Sequence, residues 1–113
     1  MNALKNNVQL IGRLGNDPEV RTFDSGNKMA TFSIATNDVY YNNKGERVED
    51  TQWHNIVAWG KKADVIENFL HKGSEVALHG KLINRSYENK EGEKRYITEI
   101  VMSEVLLMDK KAQ

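Results

Sequence analysis

The chain has 113 residues, 39% hydrophobic and 28% charged, the proportions of one ordinary globular domain with a modest core. Its 16 lysines and arginines balance 16 aspartates and glutamates, which excludes a fold-wide basic field and confines any polyanion binding to a local patch. Without cysteine there are no disulfides or thiolate metal sites; with no apolar run of membrane-spanning length and no secretory signal in "MNALKNNVQL", the expectation is a cytoplasmic protein.

The first predicted strand is "NVQLIGRLG", where Val8, Leu10, Gly12 and Leu14 alternate with Gln9 and Arg13. Glycines inside such a strand permit a bend or a close backbone approach. A turn at the single proline, Pro18, leads to a short extended piece ending near Phe23, and "DSGNK" reads as a tight turn. "MATFSIATN" supplies the next strand, with Ala30, Phe32 and Ile34 on one face. "YYNNKGERVED" is polar and glycine-bearing and reads as a long hairpin loop with Tyr40 and Tyr41 at its base.

"TQWHNIVAWG" follows as a strand, β-branched at Ile56 and Val57 and closed by Gly60. Alternation sets Trp53, Asn55, Val57 and Trp59 on one face and His54, Ile56 and Ala58 on the other. "KKADVIENFLHKG" is the one predicted helix, with Ile66, Phe69 and Leu70 at i, i+3 and i+4, a stripe widened by Ala63 and Val65. His71 and Lys72 are expected in its last turn, with Gly73 as a left-handed cap. "SEVALHGKLIN" resumes alternation at Val76, Leu78, Gly80 and Leu82; "YENKEGEKRY" is a second polar loop, and "RYITEIVMSEVLLM" is the last strand.

Three strands, a helix and two more strands, with glycines where a small barrel must bend, predict an all-β, five-stranded OB-fold barrel with one helix between strands 3 and 4. An α+β sandwich of similar size satisfies the same periodicity. Residues 1–108 are expected to form the domain and 109–113 a short polar end.

Residue type alone favours burying both tryptophans in a core. Asn55 between them argues the other way, because its amide would need buried partners. A partly wet face meeting a polar ligand suits it better. Tyr40 and Tyr87 stand at the bases of the two polar loops, near Lys44 and Arg47 in one and Arg85, Lys90, Lys94 and Arg95 in the other. Rings interleaved with cations suit single-stranded nucleic acid, whose bases stack while cations follow the phosphates; they also occur on many plain surfaces. Lys61 and Lys62 open the helix, where the macrodipole disfavours cations by roughly 0.3 kcal/mol or more. A nearby phosphate would account for them, and so would a hydrated surface pair.

Catalytic patterns are lacking. His54, His71 and His79 show no ligand spacing, the glycines form no phosphate loop, no nucleophile elbow surrounds a serine, and the acids are scattered. No metal, cofactor or enzymatic activity is expected.

Taken in order, "NVQLIGRLGNDPEVR", "TQWHNIVAWGKKADVIENFLHKGSEVALHGKL" and "NRSYENKEGEKRYITEIV" resemble the bacterial single-stranded DNA-binding protein family over residues 6 to 108. The resemblance implies a homotetramer of OB-folds around which single-stranded DNA wraps, nucleoid-associated and active in replication, recombination and repair. It puts base stacking on Tyr40, Trp53, Trp59, Phe69 and Tyr87, phosphate contacts on Arg21, Lys61, Lys72 and Arg85, and His54 at a subunit interface; Lys62 joins the phosphate set as the second lysine of the helix start. Tyr40 and Tyr87 stand where the family has tryptophan, Trp59 where it has phenylalanine, and Asn7, Asn55 and Ile83 are neutral at positions basic in the family. Family members carry a glycine-rich linker and an acidic tip that recruits enzymes; with the sequence ending in "KKAQ", recruitment through such a tail is not expected. Two other readings make distinct predictions. An OB module whose aromatic face docks a protein partner predicts little tryptophan quenching by oligonucleotide and no strong salt dependence, and a nuclease would need a clustered acidic metal site.

Overall fold

The computed structural model describes residues 5–108, and the expected polar end at 109–113 lies outside them. The strands are β1 (Val8–Leu14), β2 (Glu19–Thr22), β3 (Lys28–Tyr41), β4 (Arg47–Trp59), β5 (Glu75–Glu88) and β6 (Lys94–Leu107), with helix α1 (Lys61–Phe69) between β4 and β5. β2 is the short extended piece after Pro18, paired only along the edge of β3. The other five strands run β1-β5-β6-β4-β3 and close through a second pairing of β1 with β3, at Arg13↔Ala35 and Leu14↔Ile34. This is the OB barrel, with its helix between the third and fourth barrel strands.

Alternation builds the interior. Leu14, Phe32, Ile34, Ile56, Val76, Leu78, Ile100 and Met102 point inward, and α1 closes one end with Ala63 and Ile66. Closing so small a barrel brings backbones into contact at two glycines. A Cβ on Gly12 would lie 2.3 Å from the Ala35 carbonyl oxygen, and one on Gly80 2.2 Å from that of Val101. Gly80 also sits at a register shift between β5 and β6, where a bulge bends the sheet. β4 and β6 are parallel and meet only at Ile56↔Ile100 and Val57↔Val101, so their amino-terminal halves separate into different hairpins. No helix among the described residues is long and apolar enough to cross a membrane.

Four expectations need correction. The two polar stretches are not long loops: β3 pairs with β4 out to Tyr41↔Arg47, and β5 with β6 out to Glu88↔Lys94. Only Asn42 to Glu46 and Asn89 to Glu93 turn, and the two turns are built alike. The side-chain oxygen of Asn42 accepts from the Lys44 and Glu46 amides, and that of Asn89 from the Glu91 and Glu93 amides. Further along each hairpin a threonine hydroxyl donates to a facing asparagine, Thr51 to Asn37 at 2.7 Å and Thr98 to Asn84 at 2.6 Å. Backbone ladders and Asx turns replace hydrophobic periodicity here, so polarity disguises strand as loop.

The helix ends at Phe69, not at Lys72. Leu70 leaves it in an extended conformation to reach the core, and Gly73 takes its positive φ of 90° in the following turn, donating its amide to the Leu14 carbonyl. The apolar stripe is also narrower than predicted: Ala63, Ile66 and Leu70 are buried, while Val65 and Phe69 face out. Leu82, expected inward, is exposed beyond the bulge.

Candidate nucleic-acid interface

Both indoles lie outside the core, Trp53 61% and Trp59 44% exposed. The opposite face of β4, with Ile56 and Ala58, fills the barrel, so alternation turns the tryptophans outward. Trp53 lies over a backbone with no side chain: a Cβ on Gly15 would come within 2.3 Å of the indole Cζ3. Gly15 does not have a positive φ, so Gly15→Ala strains nothing but this contact. We expect that substitution to displace the indole and shift tryptophan emission, with a stability change below about 1 kcal/mol. Unchanged emission alongside an unchanged thermal melt would show that Gly15 does not seat Trp53.

The strand registers arrange the outward face in rows. Arg21, Met29 and Trp59 face one another across β2, β3 and β4; Glu19, Thr31 and Val57 form the next row, then Ser33 with Asn55, then Ala35 with Trp53. Arg21 is thus two strands, ~10 Å, from Trp59. Phe23, absent from the predicted set, stacks on Trp59 with ring centres 6.1 Å apart and planes at 25°. No periodicity marks Phe23; only its place at the end of β2 brings it there.

Lys61 and Lys62 follow Trp59 directly, across Gly60. Both are exposed and have no ion pair among the described residues, and α1 has no side-chain N-cap. Lys28, by contrast, is tied to the helix by Asp64, at 2.6 Å, and Glu67. These two acids raise its pKa above the ordinary lysine value. Phe69 is 62% exposed at the far end of α1. Lys72 follows on the next turn, its backbone amide donating to Asp17 at 2.8 Å and its ammonium unpaired among the described residues.

Tyr40 and Tyr87 occupy equivalent places, two residues before Asn42 and Asn89. They do not face alike. Tyr87 alternates with Arg85 and Ile83 opposite Arg95, Ile97 and Glu99, and so shares the outward face carried by Val101 and Val57. Tyr40 pairs with Val48 and falls on the opposite side of its hairpin from Trp53, whereas Tyr41, paired with Arg47, is on the Trp53 side. Tyr41 and Tyr96 are both well exposed, and the Lys94 ammonium lies 5.7 Å from the Tyr96 ring centre. Both tyrosines were visible as loop flanks, but neither entered the predicted stacking set.

Arg85 is already paired. Its Nε donates to Glu99 Oε1 at 2.7 Å and its second nitrogen to Oε2 at 3.2 Å, a fork on a carboxylate only 7% exposed. These bonds and the attraction of the carboxylate raise the guanidinium pKa further above its usual value. A phosphate at Arg85 would therefore meet an ion pair, not a free cation. His54 is half-buried, its Nε2 3.0 Å from the Thr36 hydroxyl. It does not line the hollow of about 730 Å³ on the outer side of β1, β5 and β6, which Ile11, Leu106, His79 and Glu104 border. No group of three or more histidines and acids among the described residues could hold a metal ion.

A closed OB barrel with indoles exposed on one sheet face, free lysines beside them and two long hairpins belongs to the class of OB-fold binding proteins. The comparisons narrow that class. The chain belongs to the single-strand binding protein family, whose model matches residues 5–108; its members are binding proteins, not enzymes. It is 45% identical over 107 residues to single-stranded DNA-binding protein 1 of Chlorobaculum tepidum, covering 94% of this chain and 66% of the relative. With the single-stranded DNA-binding protein of Bacteroides thetaiotaomicron the identity is 43%, over 94% and 67%. The chain thus spans about two thirds of the length of these curated relatives. Among solved structures, one described as Plasmodium falciparum SSB complex with ssDNA superposes with a TM-score of 0.86 at 34% identity, covering 96% of this chain and all of that one.

Proposed function

We propose that this protein binds single-stranded DNA without sequence preference and protects it during replication, recombination and repair. The observation that carries the reading is the pair of exposed indoles, Trp53 and Trp59, set six residues or ~20 Å apart along one strand face. Surface tryptophan is costly to leave in water and suited to stacking, and no apolar neighbour covers either ring fully. In this reading Trp53, Trp59 and Tyr87, with Phe69 and Tyr40 further out, stack bases. Arg21, Lys61, Lys62 and Lys72 follow the phosphates, and Arg85 contributes as half of its ion pair. The two matched hairpins, β3–β4 and β5–β6, flank the strand.

Assembly into a homotetramer, with His54 near a subunit contact, belongs to the same proposal. The exposed apolar side chains Ile11 and Leu106 on the outer side of β1, β5 and β6 support it. The names of the relatives and the single-stranded DNA in the superposed structure support the choice of ligand. A cytoplasmic, nucleoid-associated setting follows from that ligand.

The test is a titration of intrinsic tryptophan fluorescence with oligo(dT) at low and high salt. Saturable quenching is expected, with affinity falling as salt rises because bound phosphates release counterions. Unquenched indoles and no binding would turn the aromatic face into a protein-docking surface.

A further inference from the structure

Arg85 and Glu99 meet in the middle of the outward face. The hollow they border, about 320 Å³, is also lined by Thr31 and Ser33, so it lies between the rows that carry Trp59 and Trp53. The carboxylate takes two of the five guanidinium N–H donors, and neither side chain has another polar partner among the described residues. The Arg85 side chain is 54% exposed and that of Glu99 8%. A strand on this face can therefore reach the guanidinium but meets it already held from below.

The charge of the hollow follows from that pairing. Its other charged side chain among the described residues is Glu19, exposed and without an ion pair there. Two carboxylates and one guanidinium offer a phosphate no net positive charge. The free cations lie elsewhere: Arg21 shares the row of Trp59, Lys61 and Lys62 follow it across Gly60, and Lys72 comes after the helix. Folding alone does not account for the pair. A buried carboxylate is costly until it is paired, and replacing such a pair with apolar side chains of similar size is often neutral or stabilising.

Resting on the binding function proposed above, we propose that Glu99 is an affinity-setting residue: by holding Arg85 it withholds one full cation from the phosphate track. The centre of the face then acts through stacking, and phosphates are held chiefly from the Trp59 end. A phosphate passing Arg85 still finds N–H donors, but their charge is offset by a carboxylate oxygen 2.7 Å away. Removing the charge of Glu99 frees that cation. Binding then becomes tighter for any sequence and more sensitive to salt, because one more phosphate contact releases its counterion.

The experiment measures Kd for oligo(dT) across a salt series for three proteins: the unsubstituted chain, Glu99→Gln, and Glu99→Gln combined with Arg85→Gln. Glutamine keeps the size of glutamate and an oxygen that accepts from Arg85, so the charge changes and the packing does not. A thermal melt checks folding, and Glu99→Met replaces the glutamine variant if that one does not fold. On single strands each neutralised phosphate steepens the fall of log K with log salt by about 0.7. The advantage of Glu99→Gln over the unsubstituted chain is therefore expected to grow about fivefold for each tenfold drop in salt. Adding Arg85→Gln is expected to remove it. Unchanged or weaker binding by Glu99→Gln, with an unchanged slope, would overturn the proposal. So would a gain that survives Arg85→Gln, since that is the general effect of deleting a negative charge. If the unsubstituted chain bound no oligo(dT), the binding reading itself would fall, and this inference with it.

Discussion

Replacing Trp53 and Trp59 together with alanine is expected to weaken oligo(dT) binding at least about thirtyfold while the barrel stays folded. Each base stacked on an aromatic ring is worth about 1–3 kcal/mol by alanine substitution, a range drawn from this class of protein, single-strand binders among them. Two rings then contribute about 2–6 kcal/mol, and the lower bound is already a factor of about thirty. Stability should change little by comparison, because neither indole belongs to the core formed by Phe32, Ile34, Ile56 and Ile100. Trp59 loses its stacking on Phe23, worth about 1 kcal/mol, and Trp53 its seat on Gly15. The double variant has no tryptophan left, so binding must be followed by anisotropy of a labelled oligonucleotide. Trp53→Phe should retain part of the affinity that Trp53→Ala loses, since a smaller ring still stacks. Undiminished affinity in a folded double variant would remove the aromatic face from the binding site.

Gly80→Val is expected to cost about 3 kcal/mol or more of folding stability, a large part of what a domain of this size has. The obstacle is backbone: the added Cβ would lie 2.2 Å from the Val101 carbonyl oxygen and 2.9 Å from its carbon. Neither atom can retreat without opening the β5–β6 ladder at its bulge, beside the short β4–β6 pairing at Val57↔Val101 that completes the barrel. Urea denaturation, with its slope compared to that of the unsubstituted chain, measures the loss. A change below about 1 kcal/mol would mean the strands separate there more easily than the close approach implies.

Much of this was legible beforehand, for reasons particular to each element. The inward residues of β1, β3 and β5 alternate because one side of each strand is packed, and burial imprints its period on composition. The start of α1 after Gly60 and the inward Ile66 were likewise readable. The long hairpins were not. Their four strand segments are largely exposed on both faces, with apolar and polar residues mixed, and are held by backbone pairing and by Asn42 and Asn89, whose contribution no hydrophobic period records. The extent of α1 was overestimated because Leu70, apolar and in register with the stripe, reaches the core from an extended backbone instead of a helical one.

The candidate site divides in the same way. Its residue types, indoles at even spacing and lysines beside them, were visible as soon as β4 was recognised. Exposure was visible only in part: a tryptophan's type argues for burial, Asn55 between the two indoles argues against it, and the packing of Ile56 and Ala58 inside the barrel decided which face turned out. The pairing of Arg85 with Glu99 was not visible, the two being fourteen residues apart in sequence and diagonal neighbours across β5 and β6. The sequence by itself determined the strand periods, the single helix, the balanced charge and the chemistry available. The tertiary structure alone decided which aromatics face outward together, which cations remain free and which are neutralised, because those depend on register and closure between strands that local periodicity does not encode.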